Sequence, residues 1–124
     1  MKVHIADFSS DYHRQARKLR AEVLRKPLGL PANDPAFNDR KEDVHFVALS
    51  REKVVGIVVL VPDYKPRVGK LRQMATAEEV RGEGYGIELV KALEDYAANN
   101  GLTSIVLHSR YYAVGFYEKL GYKV

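Results

Sequence analysis

Hydrophobic positions divide the chain into segments of two different periods. In residues 2–6 Val3 and Ile5 alternate with polar neighbours, the period of a strand. Tyr12, Ala16, Leu19 and Val23 then recur at intervals of four, three and four, the stripe of an amphipathic helix. Ser9 or Ser10 is placed to cap its start, and Pro27 and Gly29 stop it near Arg25. Arg14, Arg17, Lys18 and Arg20 are expected to form its solvated face. Residues 27–43 carry three prolines and several Asn and Asp, so they read as a long loop of the kind that walls a substrate. Two β-rich runs, 44–49 and 54–61, flank the polar Ser50-Arg51-Glu52-Lys53 and predict a hairpin, followed by a turn over 62–66 and a strand over 69–76. After the run RGEGYG, Leu89, Val90, Leu93, Tyr96 and Ala97 keep helical spacing up to a C-cap at Asn99-Asn100-Gly101. A short buried-type strand over 103–107 and a second helix over 110–120 complete the chain, which shows no internal repeat. The order β α β β β α β α predicts an α/β fold, with an antiparallel meander in front and a crossover helix joining parallel strands behind.

Composition narrows the function classes. A length of 124 residues is expected to form a single domain, 1–124, and no apolar run approaches the roughly 20 residues of a membrane span. The start MKVHIADFSS reads as no export signal, and the absence of cysteine permits a reducing compartment, so a cytoplasmic location is expected. A net charge of +4 favours anions, either nucleic acid or a phosphorylated cofactor. A basic helix face alone is weak evidence for nucleic acid, which is therefore not expected as a partner.

The glycines of RGEGYG change the picture more. Three of them, spaced two apart, precede a strong helical pattern in which each would cost close to 1 kcal/mol relative to alanine. Strand, glycine-rich loop and helix N-terminus form an arrangement that binds phosphate through unpaired amides. A Walker A loop is ruled out because Ile87 follows Gly86, and the GxGxxG fingerprint fails on its final spacing. A tight packing turn remains the plain alternative.

A third pattern fits. The run QMATAEEVRGEGYGIELV resembles motif A of the GNAT superfamily of N-acetyltransferases, whose Q/R-x-x-G-x-G/A signature is matched by Arg81, Gly84 and Gly86. LHSRYYAVGFYEKLGY, residues 107–122, resembles the family's motif B, and LRKPLGLP, HFVAL, KVVGIVVL and KLRQMA resemble blocks of bacterial members in the same order. The resemblance implies a GNAT-like mixed sheet, an antiparallel N-terminal meander plus a parallel pair splayed around acetyl-CoA, flanked by helices. It implies transfer of an acetyl group from acetyl-CoA to a primary amine of a small molecule or peptide. Backbone groups of Met74, Ala75 and Thr76 would pair with the pantetheine arm, and Arg81, Gly82, Glu83, Gly84, Tyr85, Gly86 and Ile87 would seat the pyrophosphate. The N–H near Ala75 would donate to the oxyanion and Tyr117 would protonate the departing thiolate. Glu42, Asp43, His45, Glu78, Glu79 and an ordered water stay open as the general base. His108 and Arg110 would line the pantetheine channel or simply pack. His4, His13 and His108 lack metal-ligand spacing, and no metal is expected. Members continue past FYEKLGY with two more strands, so an open sheet edge is expected, with either a homodimer covering it or a shortened form of impaired activity. A degenerate scaffold binding nucleic acid or protein through the basic helix is the competing reading.

Overall fold

The computed structural model describes residues 2–25, 39–108 and 113–123. Its frame is a five-stranded sheet in the order β1 (Lys2–Ala6), β2 (Val44–Ser50), β3 (Lys53–Lys65), β4 (Val68–Thr76) and β5 (Ser104–Leu107). β1 to β4 form the expected antiparallel meander and β5 lies parallel to β4. β3 is central, and its β-branched run is buried from Val54 to Leu60 because both faces of the sheet are covered. α1 (Asp11–Arg20) packs on one face with Val47, Ile57, Val59 and Ala75. α2 (Tyr85–Asn99) and α3 (Val114–Lys119) pack on the other with Phe46, Val58, Leu60 and Leu71. Alternate residues of one strand thus supply two separate cores.

Three expectations need correction. The pattern predicts a turn over 62–66, yet β3 runs on through Pro62 to Lys65. The register shifts between Val61 and Lys65, an irregularity that accommodates a proline with no N–H for the ladder. The chain reverses beyond it, where Arg67 takes φ 60°. The buried-type strand predicted over 103–107 exposes Ser104 and Val106, because β5 pairs with β4 alone and forms an open edge of the described sheet.

The third correction concerns α1. Ser10 caps it by accepting from the His13 N–H at 3.2 Å, and a π-helical turn over Ala21–Arg25 continues it to where Pro27 predicts a stop. Ala16 and Leu19 are buried, with Tyr12 and Val23 packed against the same core. Arg20, predicted on the solvated face, is only 2% exposed. Its counter-charge is Asp39, 19 residues further along, which no local pattern could reveal. The helix predicted over 110–120 is seen as Val114–Lys119, and residues 109–112, Arg110 among them, lie outside the described residues. Among those residues no helix is long and apolar enough to cross a membrane.

Candidate active site

β4 and β5 part company halfway along. Their parallel pairing runs from Val68/Ser104 to Leu71/Leu107 and ends there. At the same level β4 bulges on its other side. Ile57 faces Ala75 and Val59 faces Arg72, so Val58 alone stands against two residues, Gln73 and Met74. Gln73 takes φ 59°, and the extra residue bends the strand away from β5. The end of β4 stays tied to β3, since the Ala77 N–H donates to the Val55 carbonyl at 2.8 Å. Two residues earlier the Ala75 N–H must point the same way. The alternation of an extended strand therefore turns the Thr76 N–H away from β3, towards the gap.

The gap leads into the glycine loop. A 3-10 turn over Glu78–Val80 follows β4, and Arg81 returns a guanidinium hydrogen bond of 3.4 Å to the Thr76 carbonyl. Gly82 and Gly84 sit at φ 86° and 88°, in the left-handed region that a side chain resists. Gly84 is the N-cap of α2 and offers no side chain to its first turn. The first helical hydrogen bond there is from the Glu88 N–H to the Gly84 carbonyl at 3.1 Å. The amides of Tyr85, Gly86 and Ile87 consequently lack helical acceptors and concentrate the positive end of the α2 dipole at the mouth of the gap. Gly86 answers to a different demand, because a Cβ there would lie 3.2 Å from the Phe116 ring. Its bareness lets α3 pack onto the start of α2.

A cleft of about 1550 Å³ opens beside β4 from Lys70 to Thr76 and reaches Glu78, Glu79 and Arg81, stopping short of Gly82 to Ile87; Leu19 of α1, Val23, His108, Phe116 and Tyr117 line it as well. Pockets for a single drug-sized ligand hold roughly 300–1,000 Å³, so this one has room for two reactants. Tyr117 is buried, and burial pushes its hydroxyl pKa up to about 12. The group keeps its proton through any ordinary working pH.

A splayed parallel pair running into an uncapped, glycine-opened helix is the geometry that the resemblance implies. The family model described as "Acetyltransferase (GNAT) family" matches residues 7–122. The chain belongs to the GNAT acetyltransferase family. Its full length is 33% identical over 124 residues to the uncharacterized N-acetyltransferase YjcF of Bacillus subtilis (strain 168), covering 86% of that protein. An uncharacterized acetyltransferase of Streptococcus pyogenes serotype M1 is 30% identical over 86 residues, 69% of this chain and 60% of that one. Among solved structures, a putative N-acetyltransferase from Lactobacillus plantarum superposes with a TM-score of 0.81 at 25% identity, over 99% of this chain and 84% of that one. An aminoglycoside 6'-N-acetyltransferase complexed with coenzyme A shares the fold, with a TM-score of 0.80 at 21% identity over 100% of this chain and 86% of that one.

Within this GNAT frame the base candidates fall into two groups. Glu78 and Glu79 are exposed on the cleft wall, and Glu42 is exposed in the turn before β2. Asp43 and His45 are buried and committed elsewhere. Asp43 accepts two hydrogen bonds from the Arg40 guanidinium, at 3.0 and 2.7 Å, and Arg40 reaches on to Asp63. That pairing holds Asp63 below the usual carboxylate range. His45 belongs to a buried group that the sequence spacing hides. His13, Asp39 and His45 bring their ligand-type atoms within 4.8 Å of one another, although their positions match no metal motif. Arg20 donates to both Asp39 oxygens, at 2.8 and 2.6 Å. The hydrogen bonding argues against a metal. The Ser9 N–H donates to His13 Nδ1 at 2.9 Å, which leaves the ring proton on Nε2, where it bonds Asp39 at 2.6 Å. Coordination through Nε2 would move that proton against the Ser9 donor, and a cation would lie beside Arg20.

Proposed function

We propose that this chain transfers the acetyl group of acetyl-CoA to a primary amine by direct attack. The observation that carries the reading is the Thr76 amide left unpaired where β4 parts from β5, together with the uncapped amides of Tyr85, Gly86 and Ile87 at the start of α2. An extended amide-bearing arm ending in a pyrophosphate has the matching acceptors in the matching order. The coenzyme A in the complex of the aminoglycoside relative supports the same donor. The deprotonated amine attacks the thioester carbon, and the oxyanion that forms takes a hydrogen bond from the backbone N–H near Ala75, at the bulged end of β4. As the tetrahedral intermediate collapses, the C–S bond breaks and the sulfur takes the Tyr117 proton. Glu78 and Glu79 stand on the wall where a water could pass the amine's proton to bulk solvent.

Two outcomes are expected. Acetyl-CoA at a hundred times its dissociation constant raises stability by about 2.7 kcal/mol, seen as an upward shift of melting temperature, and adenosine, which lacks the pyrophosphate and pantetheine arm, shifts it far less. A melting temperature unmoved by millimolar acetyl-CoA would end this reading. Tyr117→Phe lowers turnover by roughly a hundredfold, the low end for a positioned acid, with acetyl-CoA affinity unchanged. Thiol release against a panel of primary amines measures it, and equal turnover removes Tyr117 from the mechanism.

A further inference from the structure

The group around Asp39 has no part in the chemistry above, yet it spends four titratable or charged side chains inside the protein. His13, Arg20, His45 and the Asp39 carboxylate are each 2% exposed or less. His13 and Arg20 lie seven residues apart on α1, so both face one direction two turns apart. His45 comes from β2, held in register between Ala6 and Val59. Asp39 therefore ties α1 to β2, and its neighbours reach the cleft: Leu19 lies beside Arg20, and Arg40 follows Asp39.

The charges of Arg20 and Asp39 cancel, and neutral histidines add nothing. One more proton would leave a net positive charge among side chains closed off from solvent. His13 could take that proton only on Nδ1, where it would meet the Ser9 N–H. Ser9 already sits at φ 65°, and the next residue, Ser10, caps α1 through the His13 N–H. His45 stands edge-on to His13 at 4.6 Å between ring centres, its Nε2 3.2 Å from Asp39 but without a hydrogen-bond partner among the described residues. Phe8 covers the other side of His13 at 5.1 Å. Beyond this shell, among the described residues, the charged neighbours include Asp43, Arg40 and the half-buried Arg72 of β4, whose guanidinium feels both Asp43 and Asp39. The carboxylate among them, Asp43, is already taken by the Arg40 guanidinium.

We propose that Asp39, Arg20, His13 and His45 form a proton-sensitive clamp that positions the α1 wall of the cleft, so that protonation of His13 loosens that wall and leaves the acetyl-CoA loop intact. The proposal rests on the reading of the cleft as the acetyl-transfer site, with α1 on the side of the amine. Burial lowers the His13 pKa, against the raising effect of its hydrogen bond to Asp39 and with further lowering from His45. Sign and window follow. The opened clamp has a histidine near its ordinary pKa of about 6.5 and binds the proton better than the closed one. The clamp is fully effective above that pH and weakens as pH falls below it, until the closed form too is protonated.

Amide hydrogen exchange on the whole chain, corrected for the intrinsic pH dependence, tests this. Protection over residues 11–20 should fall by up to about tenfold per pH unit below about pH 6.5 for each proton taken up, while that over residues 85–99 holds. His13→Gln, neutral and still able to donate to Asp39, should flatten the α1 response. Calorimetric affinity for acetyl-CoA should be the same at about pH 7.5 and about pH 5.5, on either side of the window. Simultaneous loss of protection in α1 and α2 overturns the proposal, as does an unchanged pH response in a folded His13→Gln variant. A rise in melting temperature on adding zinc overturns it in favour of a metal centre. Absence of acetyl-CoA binding at both pH values refutes the functional reading instead, and the exchange result remains a separate measurement.

Discussion

Gly84→Val is expected to weaken acetyl-CoA binding by about a hundredfold or more, close to 2.8 kcal/mol at 1.4 kcal/mol per tenfold. Two effects combine. Gly84 sits at φ 88°, where a β-branched residue is a genuine outlier, so the N-cap must re-form with a different backbone path. The amides of Tyr85, Gly86 and Ile87 then lose their common aim, and an isopropyl group stands where the anion would approach. The variant also loses some stability, and a control separates the two losses. Gly101 has nearly the same φ, 80°, with open space around it, and lies at the other end of α2. Gly101→Val carries a similar backbone cost and should bind acetyl-CoA as the parent does. Isothermal calorimetry on both folded variants decides the matter, and equal affinities would remove the pyrophosphate from the α2 N-terminus.

Asp39→Ala is expected to be the most destabilising single substitution in the described structure, by about 3–5 kcal/mol, because it strands the Arg20 guanidinium in the interior. For a chain of this size that lowers the melting temperature by more than about 10 °C. Arg20 is 2% exposed and pairs with Asp39 through both carboxylate oxygens, so truncating Asp39 removes both of these hydrogen bonds at once. Replacing both members, Arg20→Met with Asp39→Leu, should recover most of the loss, since two apolar groups leave no buried charge unmet. Urea denaturation of the four-member cycle measures the coupling. Additive losses would mean that the pair is not a unit. The pair also sets a limit at low pH. Burial alone would raise the Asp39 pKa, but contacts with His45 and Arg20, the Arg20 charge and the His13 hydrogen bond outweigh it and hold the carboxyl well below its ordinary value. The stability this brings is present above about pH 4 and is lost as pH falls below it, since the unfolded chain protonates first.

Local signals were read well where a residue answers to its immediate neighbours. Ser10 caps α1 and Gly101 follows α2, both as their chemistry dictates. The glycine loop was legible because Gly82 and Gly84 report a backbone conformation that other residues avoid. Gly86 was legible as a bare position but not for its reason, since Phe116 comes from an element 30 residues away and only packing brings them together. The bulge in β4 shows the same limit: sequence motifs locate the end of the strand, but the extra residue at Gln73 and Met74 shows only in its register against β3. Pro62 misled because a proline reads locally as a turn, and only the bulged register of β3 against β4 tolerates it within a strand.

By itself the sequence determined the order of elements, the glycine-opened helix and the membership of the GNAT family, because periodicity, capping and short motifs act over a few residues. The tertiary structure decided the rest. It set the point at which β4 leaves β5, the side on which the amides face, the burial of Arg20, and the meeting of His13, Asp39 and His45. These depend on contacts between residues far apart in the chain, which exist only once the sheet and α1 have come together.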